Sequence, residues 1–189
     1  MVAALKRSNV LDVFSAFNPA KCAYVKRGED QWSGSPMAIQ IRTANRNDAA
    51  MLTALAMRSK QSNGYDDAFM AACREELTVT EQHFATTTYW VAEGEAIAGM
   101  VGLELDEEGA SGEIGSFFID PAHKRKGIGR LLWQAVLDFA DAQGVKTLRL
   151  DADPAAEPFY EAMGFKTVGR VASGSIAGRT LPHMVLDLT

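Results

Sequence analysis

Residues 112–132 read Gly-Glu-Ile-Gly-Ser-Phe-Phe-Ile-Asp-Pro-Ala-His-Lys-Arg-Lys-Gly-Ile-Gly-Arg-Leu-Leu, and no other stretch limits the fold as much. Phe117, Phe118 and Ile119 are aromatic or β-branched, as a buried strand requires. Pro121 ends that strand, because it has no N–H to give to a ladder. Gly127 and Gly129 stand where a helix begins. After them Ile128, Leu131, Leu132, Ala135, Val136, Phe139 and Ala140 recur at helical spacing. The unit is therefore strand, tight loop, helix. Residues without side chains at a helix start let a ligand approach the backbone. The exposed N–H groups and the dipole there favour an anion, typically phosphate. Lys124, Arg125, Lys126 and Arg130 add positive charge at the same place. Two familiar phosphate loops fail here. The fingerprint G-x-G-x-x-G needs glycine where Leu132 stands, and the Walker A loop needs a Gly-Lys-Ser/Thr run that is absent. A phosphate loop of another kind and a solvated basic helix start both remain open on these residues alone.

The rest of the chain narrows the choice. Its 189 residues suit one domain with a sizeable core. Net charge is −5, which argues against a general affinity for nucleic acid or an anionic membrane surface. The positive charge is local and fits a small anionic ligand. No apolar run approaches membrane-spanning length. Cys22 and Cys73 have no metal or redox spacing and are expected to stay reduced in a cytoplasmic protein. His83, His123 and His183 lie far apart in sequence, so no metal site is expected.

Residues 1–36 mix basic residues with short apolar pieces and end in a linker-like run, Gly28 to Pro36. They are expected to be a poorly ordered extension or an over-called start, with Met37 as initiator and at most a short helix from Val10 to Phe17. The domain proper is expected over 37–189. Ala38 to Arg42 reads as a strand. Asn45 and Asp48 form a capping-box start to a helix that buries Ala49, Leu52, Leu55, Ala56 and Ser59. A second helix is expected from Asp66 or Asp67 through Phe69, Met70 and Cys73 to Leu77, and a third start at Thr78 with Glu81. Tyr89 to Glu93, Ala96 to Leu105 and the strand ending at Ile119 give three consecutive antiparallel strands. Gln143-Gly144 stops the long helix. The strand that follows, Val145 to Leu150, lies parallel to the one before the helix. Asp153-Pro154 starts another helix with Ala156, Phe159, Tyr160 and Met163, in which Pro158 predicts a kink or a late start. Lys166 to Val171 and Leu181 to Leu188 close the sheet.

Two of these stretches carry a resemblance. Ile119-Asp120-Pro121 followed by Lys124-Arg125-Lys126-Gly127-Ile128-Gly129 resembles motif A of the GCN5-related N-acetyltransferases, the GNAT superfamily, whose loop runs Gln/Arg-x-x-Gly-x-Gly/Ala. Lys124 replaces the usual Gln or Arg, and Arg125 stands where many members have Gly. Asp153 to Phe165 resembles motif B, Asn-x-x-Ala-x-x-x-Tyr-x-x-x-Gly-Phe, with Asp153 in place of Asn. The two motifs occur in order with a strand between them, and the resemblance covers about residues 38–189. It implies an α/β (α+β) GNAT fold, a mixed and mostly antiparallel sheet of about seven strands with one parallel pair and about four helices.

The resemblance also implies a chemistry: acetyl transfer from acetyl-coenzyme A to a primary amine, by direct attack in a ternary complex. The amides of the loop Lys124-Arg125-Lys126-Gly127-Ile128-Gly129 would hold the pyrophosphate, with the charge of Arg130 beside it. Phe117, Phe118 and Ile119 would pair with pantetheine and point an amide at the thioester carbonyl, and Asp153, Ala156 and Phe159 would complete the cofactor side. Tyr160 matches the motif B tyrosine and would give its proton to the leaving sulfur, which a phenol of pKa ~10 can do at neutral pH. Glu113 would be the general base. Strand alternation puts it on one face with Gly115, Phe117 and Ile119, where desolvation would raise its pKa. Glu104 is the reserve base and a candidate acceptor contact, and a water chain remains an alternative. Tyr65, in the turn after the first helix, and Arg179, in the loop before the last strand, are further acceptor contacts, Arg179 for a carboxylate or phosphate. The acceptor is a small-molecule or peptide amine. Family habit allows a homodimer. The competing reading is an acyl-coenzyme A sensor or scaffold with little catalysis.

Overall fold

The computed structural model describes residues 38–188. The expected extension over 1–36, its short helix and Met37 lie outside the described residues. The described residues form one seven-stranded sheet in the order β1-β2-β3-β4-β5-β7-β6. Its strands are β1 (Gln40–Thr43), β2 (Thr87–Glu93), β3 (Ile97–Leu105), β4 (Ser111–Ile119), β5 (Thr147–Asp151), β6 (Lys166–Ala172) and β7 (Thr180–Asp187). β4 and β5 run parallel, and the other neighbours pair antiparallel. The helices are α1 (Ala49–Gln61), α2 (Asp67–Ala72), α3 (Ile128–Gln143) and α4 (Glu157–Glu161). The parallel pair with α3 as its crossover is the unit expected from the motif stretch.

Each sheet face has its own core. On one, Trp90, Val101, Leu103 and Ile114 pack against Ile128, Leu132 and Val136 of α3, with Tyr160 and Phe165 from the α4 region. On the other, Tyr89, Val91 and Met100 meet Leu52, Leu55 and Ala56 of α1 and Met70 of α2. Apolar side chains at 3.6-residue spacing on α1 and α3 create these faces, and their burial drives the assembly. The expected capping box is present. Asn45 Oδ1 accepts from the Asn47 amide at 3.0 Å and Asp48 Oδ2 from the Asn45 amide at 2.8 Å. Asp48 is buried and held by Arg42 at 2.8 Å, and Arg42 also reaches Glu93 on β2 at 2.7 Å.

Two helix boundaries differ from expectation. α2 stops at Ala72 instead of continuing to Leu77. The Val79 amide bonds Thr53 Oγ1 at 2.9 Å, which draws the chain onto α1 and off the helix axis, while Leu77 is buried by turns. Thr80, not Thr78, precedes the next element, a 3-10 helix over Glu81–Ala85. The motif B segment takes the late start that Pro158 allows. Pro154–Ala156 is a 3-10 turn, and α4 begins at Glu157 with the proline in its first turn.

Candidate active site

The parallel pairing of β4 and β5 is short. It joins Ser111 to Thr147, Gly112 to Leu148 and Glu113 to Arg149, and then ends, although β4 runs on to Ile119 and β5 to Asp151. Past that point β5 leads toward β7, where the Ala152 amide bonds the Pro182 carbonyl at 2.9 Å. Among the described residues, the edge of β4 from Ile114 to Ile119 therefore has no strand partner on the β5 side.

A bulge sits in the same strand. Gly102 pairs with Ser116 and Leu103 with Ile114, which leaves Gly115 as the extra residue. One inserted residue exchanges the faces of everything beyond it. Glu113 therefore does not share a face with Phe117 and Ile119. Ile114, Phe117 and Ile119 join the α3 side, whereas Phe118 packs on the α1 side. The expected desolvation of Glu113 is also absent. Its side chain is 54% exposed and pairs with Arg149 Nε at 3.2 Å.

The loop before α3 is built from backbone conformation. Asp120 accepts from the Ala122 amide at 3.0 Å and shapes a 3-10 turn over Pro121–His123. Arg125 has φ 64° and Gly127 φ 81°, both left-handed. The helix hydrogen bonds start with the amides of Arg130 and Leu131 on the Gly127 carbonyl, at 3.0 and 3.2 Å. The amides of Ile128 and Gly129 precede them and have no carbonyl within the helix to bond. A side chain at Gly127 would meet nothing within 4 Å, so that side of the loop is open, while one at Gly129 would press on Phe159 at 3.2 Å. These features fit a pyrophosphate. Lys124 turns elsewhere: its Nζ bonds Ser62 Oγ at 2.7 Å and Asn63 Oδ1 at 3.3 Å, tying the loop to the end of α1. Lys126 and Arg130 are exposed beside it.

Tyr160 of α4 reaches the parted strands from the other side. Its ring lies 6.2 Å from Phe117 and 5.8 Å from Phe165, both edge-on, and Phe159 and Ala156 line the same wall. The residue is 9% exposed. Burial pushes its phenol above the ordinary range, and the charge of Asp153 adds to this. The group stays protonated at neutral pH and can serve as a donor.

On the α1 face a cavity of about 590 Å³ opens beside the bulge, lined among others by Tyr89, Ser116, Glu104, Glu113, His83 and Arg149. Its floor is one polar row at a single register: Thr87 opposite Glu104, Glu104 opposite Glu113, Glu113 opposite Arg149. His83 was not singled out in the sequence as a site residue. Its Nδ1 accepts from the Thr80 amide at 3.3 Å, which leaves Nε2 to carry the proton in the neutral ring.

Asp153, Tyr65 and Arg179, given separate roles from sequence, meet in one network. The Tyr65 hydroxyl donates to both Asp153 oxygens at 2.9 Å and accepts from Arg179 Nη2 at 2.7 Å. Lys60 Nζ, which the sequence reading missed, lies 2.8 Å from Asp153 Oδ2, and Arg179 3.3 Å from it. The three charged side chains are 11 to 17% exposed. Burial opposes ionisation of Asp153, but Lys60, the Ala155 amide and Tyr65 hold it below the ordinary carboxylate range. Tyr65 stacks on Phe69 at 4.0 Å, and the Arg179 guanidinium covers both rings. The network ties the β6–β7 loop to the end of α1 and to the turn after β5.

A family model described as an acetyltransferase (GNAT) domain matches residues 53–188. Human N-acetyltransferase 8 is 32% identical over 111 residues, 53% of this chain and 49% of that protein. N-acetylaspartate synthetase of Xenopus tropicalis is 31% identical over 124 residues, 61% of this chain and 45% of that one. The chain thus spans about half the length of these curated relatives. Among solved structures, the PaiA N-acetyltransferase of Thermoplasma acidophilum in complex with coenzyme A superposes with TM-score 0.68 at 18% identity, covering 80% of this chain and all of that one. YncA of Salmonella typhimurium, a putative acetyltransferase with its cofactor acetyl-coenzyme A, gives TM-score 0.57 at 21% identity over 80% of this chain and 94% of that one. At these identities the two structures speak for the fold.

Proposed function

The chain belongs to the GNAT acetyltransferase family, and from that premise we propose that it transfers an acetyl group from acetyl-coenzyme A to a primary amine by direct attack. The observation that carries this reading is the parting of β4 and β5 after Glu113 and Arg149, with Tyr160 on one side of the opening and the open loop at Gly127 at its end.

In this reading the amides between Arg125 and Gly129 hold the pyrophosphate, aided by the α3 dipole. Pantetheine lies along Phe117, Phe118 and Ile119, whose backbone supplies the donor for the carbonyl oxygen. The amine nitrogen, deprotonated by Glu113 directly or through water, attacks the carbonyl carbon. The carbon–sulfur bond breaks, Tyr160 gives its proton to the departing thiolate, and the phenolate recovers one from the nitrogen as the amide forms. The products are the N-acetyl amine and free coenzyme A thiol. Holding both substrates at one opening lowers the entropic barrier without a covalent enzyme intermediate. Tyr65, Arg179 and Lys60 serve the acceptor side by fixing the β6–β7 loop, and Asp153 joins that loop to the cofactor wall.

The relative named for N-acetylaspartate suggests an amino-acid acceptor, with Arg179 as partner for its carboxylate. Against it, Arg179 and Lys60 are already engaged with Asp153. Thiol release from acetyl-coenzyme A with a panel of amines and amino acids tests the transferase reading. Release that needs an amine supports it, and tight cofactor binding with no turnover on any amine favours a sensor or scaffold.

A further inference from the structure

The last turn of α1 ties together the two strands that part. Ser59 in that turn is buried, and Arg58 and Lys60 precede and follow it. One residue is roughly 100° around a helix, so the two basic side chains leave on opposite flanks of the buried line. Arg58 goes to the β4 side. Its Nη2 lies 2.9 Å from Oδ2 of Asp120, the residue that follows β4. Lys60 goes to the β5 side. Its Nζ lies 2.8 Å from Oδ2 of Asp153, just past the end of β5. The turn after α1 adds a second tie on each side. Ser62 and Asn63 accept from Lys124 Nζ beyond β4, and the Tyr65 hydroxyl donates to Asp153 beyond β5. One helix end thus holds both lips of the opening. The ladder between β4 and β5 stops at Glu113 and Arg149, so sheet bonding does not fix the distance between the strands beyond that point. The two ion pairs differ in weight. Lys60 and Asp153 are both close to buried and little screened, whereas Arg58 is half exposed and its pair contributes little.

We propose that the last turn of α1 fixes the width of the opening, and that Lys60 is a positioning residue for the pantetheine arm of coenzyme A. The inference rests on the transferase reading above, which lays pantetheine along β4, and adds the element that keeps the β5 side at its distance. Lys60 acts through Asp153 and not on a reacting atom. Without its ammonium the turn after β5 loses its strongest hold on α1. The opening then has to be ordered when the arm enters, and that cost is taken from the affinity. The pyrophosphate loop lies on the β4 side, where the ties from Arg58 and to Ser62 remain. The phosphate end of the cofactor is therefore indifferent to Lys60.

The test titrates the full chain calorimetrically with coenzyme A and with adenosine 3′-phosphate 5′-diphosphate, the same ligand without its pantetheine arm. Lys60→Met removes the charge and keeps an unbranched side chain beside the rings of Tyr65 and Phe69. In this variant coenzyme A is expected to bind ~10-fold more weakly, while the armless fragment stays within about two-fold of wild type. Lys60→Arg, which keeps the charge, is expected to recover most of the loss. Circular dichroism first shows that Lys60→Met is folded. Should it not fold, Arg58→Gln decides in its place, with an expected ~3-fold loss for coenzyme A alone, since its pair is exposed. Equal losses for both ligands, which a general structural role would give, overturn the proposal. So does an unchanged affinity for coenzyme A. In either case wild-type protein that binds coenzyme A more tightly than the fragment leaves the transferase reading standing. Wild-type protein that binds the two equally, or neither, overturns that reading and the proposal together.

Discussion

Glu113 and Arg149 face each other at the last paired position of the parallel strands, with Nε 3.2 Å from Oε2. The ion pair marks where the sheet opens, and among the described residues Glu113 is the carboxylate that both borders the opening and reaches the cavity. Exposed pairs of this kind contribute about 0–1 kcal/mol. Glu113→Gln should therefore leave the thermal midpoint nearly unchanged. If Glu113 is the base, kcat falls by about 10²-fold or more with little change in KM for acetyl-coenzyme A. Steady-state kinetics at saturating cofactor decide it. An unchanged kcat moves the role to Glu104 or to water.

Tyr160→Phe removes one hydroxyl and keeps the ring contacts with Phe117 and Phe165. Cofactor affinity should hold within a few-fold. Turnover should drop by ~10- to 100-fold, because the thiolate would leave without its proton donor. A variant with full kcat would reduce Tyr160 to a packing residue.

Asp153 compensates two half-buried cations, Lys60 and Arg179. Asp153→Ala leaves both without their carboxylate and should cost about 3–5 kcal/mol in denaturant unfolding, the range for breaking a buried pair from one side. The same carboxylate sets an acid limit. Its folded pKa lies below its unfolded value, as does that of Asp48, which Arg42 holds down against burial. Their stabilisation is complete above the unfolded carboxylate pKa of about 3.9 and is lost as pH falls through the lower folded values. Unfolding free energy should fall steeply below about pH 4. Asp153→Asn should flatten that slope, and an identical slope in the variant would contradict the assignment.

Arg125 adopts a left-handed backbone that costs a non-glycine residue about 1–2 kcal/mol. Glycine relieves this, offset by ~0.5–1 kcal/mol of lost unfolded-state restriction. Arg125→Gly should thus unfold no more easily than the parent. It should bind acetyl-coenzyme A several-fold more weakly, because one cation leaves the phosphate loop. Unchanged affinity would show that the backbone alone binds the phosphate there.

Local signals made much of this fold legible. The strand ended by Pro121, the glycine-marked start of α3 and the delayed α4 at Pro158 each depend on a few adjacent residues. The bulge at Gly115 was legible only in part. A glycine inside a strand hints at a bulge, but pairing across β3 decides it, and that decision reversed the face assigned to Glu113. The Lys60, Tyr65, Asp153 and Arg179 network gave no local sign. Its partners are 88 and 114 residues apart, and the sequence offered only single residues with separate roles. The end of α2 was missed for a similar reason, since the Thr53–Val79 bond that diverts the chain spans 26 residues.

We propose above all that the open loop at the start of α3 holds acetyl-coenzyme A. Calorimetric titration of the full chain with acetyl-coenzyme A, beside Gly127→Glu, tests it most directly. Glutamate there is forced into a left-handed backbone and puts a carboxylate into the space left for phosphate, so circular dichroism must first show that the variant folds. One site per chain is expected in the wild type, with at least a ~100-fold loss in the folded variant, about 2.7 kcal/mol. Absence of binding by folded wild-type protein, or equal binding by the variant, would contradict it.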